Sequence, residues 1–181
     1  LGSAFVVTRA TDALAGAVET GSAYLLLSRP VPRWALVVGK MGEIAVGAAV
    51  IVLAAWLGLW IGAVTTLGGD LPFGRYALVA LVAWLLFCAL GAGALLISSC
   101  TGRTDIAGGL GSAWTLVAFV LDVIPQVANS PIGVLNPWHH YFPQEVVTTG
   151  QVDPTSVAVL LGWVLFGTVA AAVNFGRRDL I

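Results

Sequence analysis

Four stretches of this chain carry no charged side chain: residues 44–69, 76–102, 106–121 and 154–176. Beyond Asp122, Val123 and Ile124 extend the third stretch to Pro125. A helix rises about 1.5 Å per residue, so about 20 apolar residues cross the ~30 Å hydrocarbon layer of a bilayer. Each stretch has roughly that length. Backbone placed in lipid must satisfy its N–H and C=O groups internally, which admits helices and closed barrels. The alternation of a barrel strand is absent, so the chain reads as all-α, a polytopic helical membrane protein with four full spans. Composition agrees: of 181 residues, 59% are hydrophobic and 9% charged, with a mean hydropathy of +0.96. A soluble domain carries about 25% charged residues. The net charge of -1 offers no basic field for nucleic acid.

Residues 1–8, "LGSAFVVT", are apolar but too short to span, and they lack the charged start and cleavage site of a signal peptide. They read as the end of a longer helix, and the sequence as the C-terminal part of a larger protein. Cys88 and Cys100 on one helix would stand about 18 Å apart, too far for a disulfide, and read as small hydrophobes.

Orientation follows from the cations. With the segment before residue 40 in the cytoplasm, four spans place Arg9, Arg29, Arg33, Lys40, Arg103, Arg177 and Arg178 inside, seven of the eight. Only Arg75 falls outside, as the positive-inside rule prefers. The C-terminus is then cytoplasmic. Trp56 and Trp84 lie too deep within their runs for an interfacial belt. Of the two outer connections, 65–74 is a Gly- and Pro-containing turn. Residues 125–153 are longer and semi-apolar, and Pro125, Pro131, Pro137 and Pro143 prevent one long helix. Short helices dipping into the outer leaflet suit that composition.

Little chemistry is written in the chain. The Gly39-Lys40 pair is no P-loop, because Trp34 stands where the first glycine belongs and Met41 where the magnesium-binding hydroxyl belongs. Neighbouring His139 and His140 would diverge on a helix and, with Glu145 nearby, read as polar residues at a membrane surface rather than metal ligands. Gly58 and Gly62 form a GxxxG pair, and Gly91 and Gly93 point to close packing or local flexibility. Ionisable residues at membrane depth are functional candidates, so Glu43 and Asp122 are possible transport or gate residues, as is Trp138 in the semi-apolar outer segment. Lys40, three positions before Glu43, is its natural helical partner.

The segment "ETGSAYLLLSRPVPRWALVVGK", Glu19 to Lys40, is the most informative. From Asp12 to Leu25, Leu14, Ala17, Val18, Gly21 and Leu25 recur at helical spacing, with Asp12 and Glu19 on another face. Pro30 and Pro32 end that helix. Arg29, Arg33 and Lys40 anchor the turn at the anionic inner surface. Such a helix either lies in the interface or is presented to a cytoplasmic partner.

Glu19, Gly21, Leu26, Leu27, Pro30, Val31, Arg33, Gly39 and Lys40 match in order a signature of ABC-2 type permeases, with Ser22 where Thr is usual. The chain resembles that family along essentially its whole length. The segment "GVLNPWHHY" before the last span and the ending "NFGRRDLI" after it are similar to the family's segments at those places. The resemblance implies the membrane subunit of a bacterial ATP-binding-cassette exporter in the plasma membrane. Residues 1–9 would end the second of six spans, and 10–34 would form a cytoplasmic coupling segment. Residues 125–153 would hold re-entrant helices before the sixth span. It implies a partner ATPase that carries ATP and Mg, no cofactor in this chain, a second permease copy or paralogue, and contact with lipid. Glu19, Gly21, Tyr24 and Leu25 would face the ATPase, and the spans would move an amphiphilic or hydrophobic cargo by alternating access. Two other readings stay open: an ATP-linked component that acts on lipid or protein or in signalling, and a secondary transporter. The spans carry almost no ionisable residue, which weighs against the last.

Overall fold

The computed structural model describes residues 2–16, 19, 32–68, 72–101, 103–128 and 130–177. Helix α1 covers Gly2–Thr11 and passes directly into a π turn, Asp12–Gly16. Helix α2 is Arg33–Leu67, α3 is Phe73–Cys100 and α4 is Thr104–Val123. The short α5 (Pro125–Ala128), α6 (Pro131–Val134), a 3-10 turn (Pro137–His140) and α7 (Pro143–Thr149) precede α8, Pro154–Arg177. The described residues contain no strand. The four helices α2, α3, α4 and α8 are long and apolar enough to cross a membrane.

Local chemistry sets the boundaries. Pro32, extended at φ -64° and ψ 136°, precedes α2; it has no N–H, and the chain before it is biased away from helix. Gly68 ends α2 in the left-handed conformation, φ 67°, which costs a residue without Cβ nothing. At 35 residues, α2 is about 52 Å long and begins well before the uncharged run at residue 44. The charge-free run marks what lipid can hold, whereas the helix continues through Lys40 and Glu43. These two form the expected i,i+3 pair at 2.9 Å, an exposed contact stabilising by about 0.3–0.5 kcal/mol.

The bundle is built around α3, which packs against α1, α2, α4, α7 and α8. One core cluster joins Val6, Val37, Ile44, Cys88, Leu95 and Phe175; a second joins Val82, Leu86, Leu90 and Leu160 toward the other end. Glycines permit the closest approaches. A Cβ on Gly91 would stand 2.6 Å from Val6 and 2.7 Å from Ile44, one on Gly93 2.6 Å from Trp114 Nε1, and one on Gly167 2.8 Å from the Ala92 backbone. Of the two alternatives for Gly91 and Gly93, close packing is the one observed. Gly58 and Gly62 face open space, so their GxxxG spacing makes no helix contact among the described residues. Val50, Leu53 and Leu57 of α2, Leu116 and Val120 of α4, and Leu165 and Val169 of α8 are exposed. An apolar surface this extensive matches lipid as solvent.

Candidate functional site

At one end of the bundle, α1 leaves the α-helical register. An α-helix would join the N–H of Ala15 to the C=O of Thr11, four residues earlier. Instead the hydroxyl of Ser98, from the last turn of α3, stands between them. It accepts from the Ala15 N–H at 3.1 Å and donates to the Thr11 carbonyl at 2.8 Å. Ser98 is fully buried and Thr11 nearly so, so the inserted bonds are shielded from water. A side chain inserted into the ladder and a single π turn are recognised causes of local bending.

Three residues beyond the π turn, Glu19 reaches the start of α4. Its Oε2 accepts from the Thr104 N–H at 2.9 Å and from the Thr104 hydroxyl at 2.5 Å. A helix start leaves amides without intrahelical partners, and its dipole favours a negative group. The two bonds from Thr104 hold the Glu19 carboxyl below the usual carboxylate range. Arg103 pairs with Asp105 at 2.6 Å beside it, and Asn174 of α8 donates to Ser99 at 3.1 Å. Residues separated by 83 to 87 positions therefore meet around the α3–α4 connection.

The opposite end is tied by a different set. Arg75 donates from Nη1 to the carbonyls of Val147 and Thr148, both at 2.9 Å, closing the C-terminus of α7. The buried Asn136 donates to the Ala118 carbonyl of α4 at 2.6 Å and accepts from the Trp138 N–H. Trp163 of α8 donates to the Leu135 carbonyl at 2.6 Å. The buried His140 contacts the Val134 carbonyl at 2.7 Å and Ser156 at 3.1 Å. His139 meets Asp122 at 3.2 Å. Asp153 caps α8 through the N–H groups of Thr155 and Ser156, which depresses its carboxyl pKa. A half-open cavity of about 370 Å³ lies here, bounded by His140, Phe142, Glu145 and Ser156. Between α1 and α4 runs a groove of about 390 Å³, with Val7, Leu116 and Phe119 as walls and the hydroxyls of Ser3, Ser112 and Thr115 along it.

Among the sequence candidates, Glu19 bonds within the chain, Lys40 pairs with Glu43, and Asp122 pairs with His139. Trp138 sits edge-on to Phe119 at 5.3 Å and lines the α1–α4 groove. Arg33 is the first residue of α2. Gly21, Tyr24, Leu25 and Arg29 lie outside the described residues. Sequence reasoning missed Ser98, Thr104, Arg75 and Asn136. Only Arg75 carried a signal, as the single cation on its side by the charge count.

Four apolar helices joined by interhelical polar contacts at both ends define a multi-pass α-helical membrane protein. The chain belongs to the ABC-2 transporters: the family model described as ABC-2 family transporter protein matches residues 1–180. No curated protein matches it. Membership makes the chain a membrane component of a transporter that associates with an ABC ATPase subunit.

Proposed function

We propose that the chain is the permease subunit of an ATP-driven exporter in a bacterial plasma membrane, with its C-terminus in the cytoplasm. Two permease units, identical or paralogous, pair with two ATPase subunits that hold ATP and Mg. Segment 10–34 is the coupling segment, and 125–153 forms re-entrant helices at the outer exit. The observation that carries this reading is the meeting of the Glu19 region with the α3–α4 connection. Force applied to the segment by a partner reaches α1, α3 and α4 together. Alternation then shifts α1 against α4, and the groove between them is the cargo path. Apolar walls with scattered hydroxyls favour an amphiphilic or hydrophobic molecule, which gains by burial along its apolar face.

The test is co-purification of the chain with an ABC ATPase subunit from its own cell, followed by ATP-dependent flux of amphiphilic dyes in proteoliposomes. Tyr24, an aromatic of the kind that anchors interfaces, is the diagnostic position. Tyr24→Ala should weaken ATPase binding by about tenfold or more, while Thr20→Ala leaves it unchanged. Binding without flux would favour work on lipid or protein within the bilayer. Flux without any ATPase would favour a secondary transporter.

A further inference from the structure

We propose that Ser98 is a hinge pin: its hydroxyl holds the π turn of α1 open and so sets the position from which the coupling segment acts. This deepens the permease reading and rests on it. The argument is geometric. Ser98 occupies the place of one backbone hydrogen bond, the Ala15 N–H to Thr11 C=O link. Removing the hydroxyl leaves the buried Ala15 N–H without its acceptor, and tightening the turn to α register would give it the Thr11 carbonyl. One residue of register is about 100° of rotation about the helix axis, since a turn holds 3.6 residues. Glu19, three residues beyond Gly16, would be swung by about that amount.

The downstream consequence is specific. Gly16 lies against Thr104, whose Oγ1 would be 3.7 Å from a Cβ placed there, and Glu19 caps the same residue. The wide turn is what carries the Glu19 carboxylate to the N-terminus of α4, and a tightened turn swings it away. Ser98 and Thr104 flank the short connection at 101–103. Two helices, α3 and α4, thereby grip the coupling segment from one loop. A wide and a tightened turn would be two discrete arrangements, and a partner that binds them unequally would shift the balance between them. Ser98 is thus a positioning residue for coupling: it touches no cargo groove, and it acts only through the direction of the segment.

The test uses the full chain in nanodiscs, with Cys88→Ala and Cys100→Ser as background and cysteines replacing Glu19 and Thr104. A short bis-thiosulfonate reagent should bridge the pair. Ser98→Ala should lower the bridged fraction at least fivefold, and Ser98→Thr, which keeps the hydroxyl, should restore it. Ser99→Ala removes an equally buried hydroxyl that bonds elsewhere and should leave bridging unchanged. A pair that bridges equally well with Ser98→Ala, or never bridges, overturns the hinge. In the native complex with the ATPase, Ser98→Ala should lower cargo moved per ATP several-fold with ATPase binding retained. An unchanged ratio overturns the role in coupling even if the hinge stands. Failure of the unmodified chain to bind the ATPase would instead sink the permease reading, and the cross-linking would still decide the hinge.

Discussion

The two ends of this bundle solve the same problem differently. Each must satisfy backbone groups where the regular helices stop. At the end carrying 125–153, short helices are stapled one by one: Arg75 on α7, Asn136 on α4, Trp163 on Leu135, and His140 between Val134 and Ser156. Several of these donors are buried or large and aromatic, and they act on separate helices. At the end carrying Ser98 and Thr104, one buried hydroxyl and one exposed carboxylate tie the α1 side to the connection, while Asn174 of α8 donates to Ser99. Many independent ties make a rigid cap, because breaking one leaves the others. The two ties on the α1 side lie in series along one segment and make a joint. The proposed permease role makes use of that asymmetry, with a partner acting at the jointed end while the capped end holds.

All-or-none labelling tests whether the ends face opposite sides of the membrane. In a background lacking Cys88 and Cys100, Gln151→Cys should react with an impermeant maleimide on intact cells. Gly102→Cys should react only after permeabilisation. Reversed labelling would put the joint outside and remove its partner.

A large stability effect is expected at the cap. Asn136→Leu removes the second donor to the Ala118 carbonyl and leaves the Trp138 N–H without its acceptor. That costs about 1–3 kcal/mol, to be read as faster proteolysis within 125–153 and a lower apparent Tm in detergent. Wild-type behaviour would mean that the cap is not held by these ties.

Arg75→Gln should have a smaller effect, about 1 kcal/mol or less, because its bonds are charge-assisted but exposed. The loss should appear as fraying of α7 alone, by deuterium exchange at 146–150, with the joint at Ser98 unaffected. Spread of the effect to 12–16 would show that the two ends are coupled rather than distinct.

Much of the cap and the spans was legible in sequence, and most of the joint was not. The spans announce themselves because lipid excludes charge over about 20 residues, and Lys40 with Glu43 because i,i+3 neighbours must meet. Prolines at 125, 131, 137 and 143 fix the broken helices locally; three of them begin α6, the 3-10 turn and α7, and Pro125 begins α5. The bonds of Ser98 and Glu19 join residues more than 80 positions apart, and no local period encodes them. Glycine spacing misled in the same way. Gly58 and Gly62 have the motif but meet nothing among the described residues, whereas Gly167, without one, lies against the backbone of Ala92. What matters is which faces meet, and that is decided by the assembled bundle.

The smallest expected effect separates the two ends by titration. Thr104 donates to Glu19 across the joint, and Thr155 donates to Asp153 two residues away within the cap. Both carboxyls lie below their ordinary values of 4.5 and 3.8, chiefly through those threonine bonds. A depressed folded-state pKa means that each contact is fully present above the ordinary value and is lost as pH falls through the folded one. In a chain with nitrogen-15-labelled threonine, the Thr104 and Thr155 amides should therefore shift with midpoints below 4.5 and 3.8, respectively. Glu19→Gln should abolish the Thr104 transition alone, which separates it from the neighbouring Asp105. The comparison sharpens when the ATPase is bound. A joint that moves between two arrangements changes how often Glu19 meets Thr104, so the Thr104 midpoint should rise toward 4.5 in whichever nucleotide state opens it. The Asp153 contact is local to its own helix and should not respond. Equal movement of both midpoints, or of neither, would show that the two ends do not differ as joint and cap.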